Sequence, residues 1–320
     1  MFKPFLMRLP AWARPEHPVL RTILQRYQQP GQSRWRRAAR VLVQVLALLV
    51  LALLGYQLAT EFGTRPSPTL HAVLYWPLVV LGVGAGLAAM MITGGVVSLE
   101  RARGTWDSLR TTPRGIELAF QARWLATFYG LRGPLGVLLL ARGVFVLGIL
   151  LDLARYYRGR YLELLLNGIT PPVSVPLGAV LLAATMTAAL LQPLAALGLD
   201  ASVGLLVSVV ARQPRHGVYV RAVLGGTRIL LAVLAFVVGG QAFAMAPWMT
   251  PAKVWAGVLL QSLAGDQGLR LLDLEESGLL WVDLSYGILI GPVLLGLTLV
   301  QMWLAGRMVG WAVRLAERGE

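Results

Sequence analysis

The stretch Gly95-Val96-Val97-Ser98-Leu99-Glu100-Arg101-Ala102-Arg103-Gly104-Thr105-Trp106-Asp107-Ser108-Leu109-Arg110-Thr111-Thr112-Pro113-Arg114-Gly115-Ile116 decides how this chain is read. Before it the chain carries no charge from Arg65 to Glu100, more than the roughly 20 residues a membrane crossing needs. Leu99, Ala102, Trp106 and Leu109 then recur at helical spacing, with Glu100, Arg101, Arg103, Asp107 and Arg110 around the rest of the turn. That spacing predicts a short amphipathic helix. Pro113 ends it, because proline disfavours helix in the residue before it and lacks the N–H the next turn requires. On pattern alone the segment reads equally as a charged loop after a membrane helix, since basic residues gather at cytoplasmic helix ends.

Composition places the whole chain in the same class. Hydrophobic residues make up 57% and charged residues 14%, with a mean hydropathy of +0.66, far more apolar than a soluble domain. Four more charge-free intervals, Arg40 to Glu61, Glu163 to Asp200, Arg228 to Lys253 and Asp283 to Arg307, are each long enough to span. A sixth span from Pro134 to Leu151 is apolar except for Arg142. The expectation is an all-α polytopic membrane protein with six transmembrane helices near 41–60, 72–98, 134–152, 176–198, 227–247 and 284–306. Residues 1–40 form a basic N-terminal segment and 41–320 the membrane domain.

Arginine placement predicts the orientation. With the N-terminus in the cytoplasm, the inner segments 1–40, 99–133, 212–228 and 307–320 carry 22 of the 29 Lys and Arg, the outer loops carry 6, and Arg142 lies within a span. Such asymmetry puts both termini on the cytoplasmic side of a bacterial-type inner membrane. The net charge of +14 then faces anionic lipid headgroups, and dispersed loop arginines without a recognition module exclude nucleic acid. The chain has no cysteine, so disulfides and thiolate chemistry are excluded, and its three histidines, His17, His71 and His216, are too scattered for a shared metal site. About forty mostly basic and polar residues precede the first span, so that span is expected to be retained rather than cleaved. Lys3 and Lys253 are the only lysines, and neither belongs to a phosphate-binding Gly-Lys-Ser/Thr loop. No metalloprotease, nucleophile-elbow or aspartate-rich diphosphate motif is present, so no catalytic site and no cofactor are expected.

The motif Glu100-Arg101-x-x-Gly104-Thr105, followed by Leu109 and Thr112-Pro113, resembles the cytoplasmic coupling segment of type-2 permeases of the ATP-binding cassette (ABC) superfamily. The resemblance implies a membrane subunit, without its own ATPase, of an exporter. Two permease protomers, identical or different, would assemble with ABC ATPase subunits that bind the ATP. Glu100, Arg101, Gly104, Thr105, Leu109 and Pro113 would be the coupling residues. Glu100 is expected to orient the segment electrostatically while adding little stability where water screens it. Two further stretches agree. Glu16-His17-Pro18-Val19-Leu20 is similar to the elbow helix before a permease's first span, and Ile116 to Leu131 is a second amphipathic stretch with Phe120, Trp124, Leu125 and Phe128 on one face. Where the family carries Gly-Lys, this chain has Ala122-Arg123, keeping the charge and losing the glycine. The alternative is a non-transporting scaffold or anchor subunit built on the same fold.

Arg142 and Asp200 are the ionisable residues nearest the membrane interior. They read either as a pair beside a transport path or as a snorkelling arginine and a helix-capping aspartate that never meet. A break is expected near Gly198, because one helix from Pro176 to Val210 would overrun the roughly 30 Å hydrocarbon core. Residues 251–287 mix Trp255, Val258, Leu259 and Leu263 with Asp273, Glu275 and Glu276, too charged to span and too apolar for a plain loop. The family resemblance implies short re-entrant or outer helices there. The glycine groups Gly82-Gly84-Gly86, Gly94-Gly95, Gly225-Gly226 and Gly239-Gly240 read as close helix packing.

Overall fold

A computed structural model describes residues 70–102, 104–112, 114–155, 159–210, 214–244 and 248–318. The N-terminal segment 1–40 with its expected elbow helix, the expected span 41–60, and Pro113 lie outside these residues. Among the described residues the chain is helical, with no strand.

Five helices, α1 (Leu70–Thr93), α5 (Arg132–Arg155), α7 (Val175–Val210), α8 (Pro214–Ala244) and α11 (Ile290–Arg318), contain segments long and apolar enough to cross a membrane. This is the pattern of a multi-pass membrane protein. Between them lie α2 (Val96–Ala102), α3 (Trp106–Thr111), α4 (Gly115–Gly130), α6 (Tyr161–Leu166), α9 (Pro251–Leu260) and α10 (Leu274–Asp283).

The centre is a trio of helices running in the same direction, α1, α7 and α11. Small residues let them approach. A Cβ on Gly86 of α1 would collide with the Asp200 carboxylate of α7, one on Gly204 with the Thr93 hydroxyl, and one on Gly291 of α11 with the Thr185 hydroxyl. Further along the α7–α11 seam, Thr298 donates to the Gln192 amide oxygen at 2.5 Å, and the Gln192 amide donates to Gln301 at 2.9 Å. Of the glycine groups, Gly82, Gly86, Gly94, Gly95, Gly225 and Gly239 meet neighbours closely, whereas Gly84, Gly226 and Gly240 face open space.

Two expectations are corrected. α7 is one continuous helix of 36 residues, so no break occurs at Gly198 and Asp200 caps nothing. Its middle is held by packing: Gly198 lies against Trp124 and Phe128 of α4, and Trp124 Nε1 donates to Gly198 O at 3.0 Å. A span is not obliged to end at the hydrocarbon boundary, because a long helix tilts or emerges from the bilayer. The fifth expected span also starts earlier. The apolar stretch of α8 runs Val218–Ala244, which puts Arg228, at the edge of the expected span, well inside it.

Residues 251–289 fold into the bundle rather than over it. α9 packs along α8, a π-turn at Gln261–Gly265 and a tip at Asp266–Gly268 follow, and a 3-10 turn (Arg270–Leu272) leads into α10. The tip takes left-handed backbone at Gln267 (φ 58°) and Gly268 (φ 74°), which turns the chain back. Asp266 and Gln261 are both 1% exposed, so the acidic tip of this hairpin is buried inside the bundle.

Candidate functional site

The motif residues cluster where α1, α7 and α11 emerge at the arginine-rich end. The expected single amphipathic helix is two helices, α2 and α3, separated at Gly104 (φ 68°). The hydrogen bonds explain the spacing. Thr105 N donates to Glu100 O at 3.1 Å and Gly104 N to Arg101 O at 3.0 Å, the paired six-to-one and five-to-two bonds of a Schellman cap with glycine in the left-handed position. Glu-Arg-x-x-Gly-Thr is thus the wording of a helix stop.

The Thr105 hydroxyl then turns back to the Glu100 carboxylate at 2.5 Å, and the other carboxylate oxygen of Glu100 is paired with Arg123 of α4. Arg123 closes the turn onto the next helix. The side chains of Arg123 and Glu100 are only 12% and 11% exposed. The expectation that water screens Glu100 is corrected: it is a shielded, paired carboxylate. Beside Arg123, the small side chain of Ala122 is buried against Ala126.

α3 is anchored through Trp106, which is buried against the Phe120 ring (centroids 6.5 Å apart) with the Arg101 guanidinium 5.6 Å from its own ring. Below it lie Val97, Ile116, Leu205, Val309 and Val313, one apolar cluster drawn from α2, α4, α7 and α11. The remaining surface of α3, namely Asp107, Ser108, Arg110 and Thr111, is exposed, and Leu109 is half-buried with its carbonyl close against Gly115. Leu99, predicted on the apolar face, is exposed, because the break at Gly104 rotates α2 away from α3. Thr112 is extended, as a residue preceding proline should be. Glu100, Arg101, Gly104, Thr105 and Leu109 therefore belong to one substructure. A displacement of α3 would reach α4 through Trp106 and the bundle ends through the cluster.

Arg142 and Asp200 do not pair with each other. The Arg142 guanidinium, 1% exposed in the middle of α5, donates to Ala189 O (2.5 Å), Gln267 O (2.6 Å) and Asp266 O (3.0 Å). The first of these carbonyls is free because Pro193, four residues on in α7, has no N–H to offer it. The other two are at the tip: Asp266 O also accepts from Leu269 N at 3.2 Å, and Gln267 O lies in the turn beyond the helix end. Asp200 meets Arg228 of α8 at 3.3 Å, and Arg228 also donates to Ala264 O at 2.7 Å. Two cations from opposite sides thus satisfy the negative end of one buried helix. The Asp266 side chain completes the arrangement, accepting from Tyr75 (3.0 Å), Gly268 N (2.9 Å) and Arg270 N (3.2 Å). His71 fastens the start of α1 to the hairpin through Leu269 O at 3.0 Å.

Sequence reasoning misses Arg228, Tyr75 and Asp266. Pro193 is the readable signal for Arg142, since a proline in a buried helix announces a carbonyl needing a donor. No comparable signal ties Asp200 to Arg228. No protein-family model, curated protein or solved structure matches this chain.

Proposed function

We propose that this chain is the membrane-spanning permease subunit of an ABC exporter, driven by ATP that separate ATPase subunits bind and hydrolyse. The observation that carries this reading is the built motif: a Schellman turn at Glu100–Thr105, fastened to α4 by Arg123, presents α3 as a short exposed helix on a packed base. A loop that merely ended a membrane helix would need neither the shielded ion pair nor the buried tryptophan. In this reading an ATPase surface seats α3, and closure of the ATPase dimer moves α3 as a rigid lever. Trp106 carries the displacement to Phe120, and the cluster passes it to α7 and α11. The arginine-rich end is cytoplasmic.

Co-purification tests the proposal. The chain extracted from membranes of its source should bring down an ABC ATPase in stoichiometric amount, and the complex should hydrolyse ATP. A stable assembly without any ATPase would instead identify a scaffold subunit.

A further inference from the structure

Beyond the motif, the arginine-rich end carries an apolar groove of about 300 Å³ between α7 and α11, lined by Leu206, Trp311, Arg314, Leu315 and Arg318. We propose that it is a binding site for one anionic phospholipid, with an acyl chain along Leu206 and Leu315 and the headgroup phosphate on Arg314 and Arg318. Several observations point to that occupant.

Arg314 and Arg318 stand one turn apart on α11, so their guanidinium groups flank the same mouth. Both are exposed, and among the described residues neither meets a carboxylate; Arg314 spends only its Nε, on Gly310 O at 3.4 Å. The neighbouring acid, Glu317, is turned into a separate recess with Arg110 and Arg114. The groove wall itself is apolar, and two of its side chains are large and exposed: Trp311 48% and Leu315 45%. Such a surface at the end of a membrane span lies against acyl chains, and a tryptophan there sits at headgroup level. One turn and two turns before Trp311, Arg307 stacks on Trp303 at 5.1 Å, so the same stripe of α11 alternates aromatic and cationic side chains up to the groove. Apolar wall, interfacial tryptophan and two cations without carboxylate partners together match a phosphate-headed amphiphile rather than a water-soluble anion. The site does not depend on the transporter reading.

Trp311 is a built-in reporter. The full chain is reconstituted in phosphatidylcholine vesicles containing brominated phosphatidylglycerol or brominated phosphatidylcholine at equal mole fraction. The Trp311 contribution is the difference between wild type and Trp311→Phe, which removes one of ten tryptophans. Quenching should show a preference of about tenfold for the anionic lipid. Arg314→Gln/Arg318→Gln should bring that preference close to parity, and Arg314→Lys/Arg318→Lys should retain most of it. Both positions are exposed, so the variants should elute from gel filtration as wild type does. Equal quenching by the two lipids in wild type, or an unchanged preference in the glutamine variant, overturns the proposal. So does loss of the preference on adding inorganic phosphate, which would mark a free-anion site. Protection of Trp311 from both lipids would mark a protein occupant and overturn it as well.

Discussion

Glu100 shows how one side chain organises a segment. Its carbonyl takes the six-to-one bond of the cap, one carboxylate oxygen takes the Thr105 hydroxyl, and the other pairs with Arg123. Removing one member of a shielded pair leaves the other charge poorly solvated, so Glu100→Arg should destabilise the protein by about 2–4 kcal/mol, seen as a lower melting temperature in detergent. Exchanging the charges, Glu100→Arg/Arg123→Glu, should recover most of that loss. Non-additivity of this kind is the mark of a direct pair, and strictly additive losses would show that the two residues act separately. The motif's residue types and spacing are readable in sequence, because a helix cap is a local object. Its partner Arg123 reads there only as a retained charge, since the contact depends on how α4 folds back.

At the scale of elements, a buried hairpin is held inside the bundle by arginines that bond mainly to backbone. Arg142→Met would leave the buried carbonyls of Ala189 and Gln267 without donors and should lower stability by about 3–5 kcal/mol. Pro193→Ala should soften that loss. It restores the N–H that Ala189 O lacks, so the double variant Arg142→Met/Pro193→Ala should regain about 1 kcal/mol relative to Arg142→Met. If alanine at 193 is neutral or harmful in the Arg142→Met background, the carbonyl argument fails. The hairpin's mixed composition is visible at 251–287, whereas its depth is not: burial of Asp266 follows from contacts with Tyr75 on α1, nearly two hundred residues away. The expected break in α7 fails for a related reason. A lone acid in an apolar run has the residue type of a helix cap, and nothing local to Asp200 says otherwise. Its counter-ion sits on α8, whose apolar stretch begins earlier than the charge pattern places it.

For the whole molecule, the spans follow from charge-free runs, which is why five of the six expected spans coincide with long apolar helices and the sixth, 41–60, lies outside the described residues. Orientation rests on the 22-to-6 distribution of Lys and Arg, and moving Arg228 into a span leaves that asymmetry intact. In this naturally cysteine-free chain, single cysteines at positions 110 and 314 should resist a membrane-impermeant maleimide in intact cells, and cysteines at 163 and 273 should react. Labelling at 110 from outside would invert the topology. The claim that joins residue, element and molecule is that α3 is where an ATPase grips the spans. Its most direct measurement is site-specific crosslinking from cysteines at positions 104 to 110 to an ABC ATPase co-expressed with the chain, in a complex shown to hydrolyse ATP. The account predicts crosslinks from the exposed positions 107, 108 and 110 and none from the buried position 106. An active complex in which no position from 104 to 110 crosslinks would contradict it.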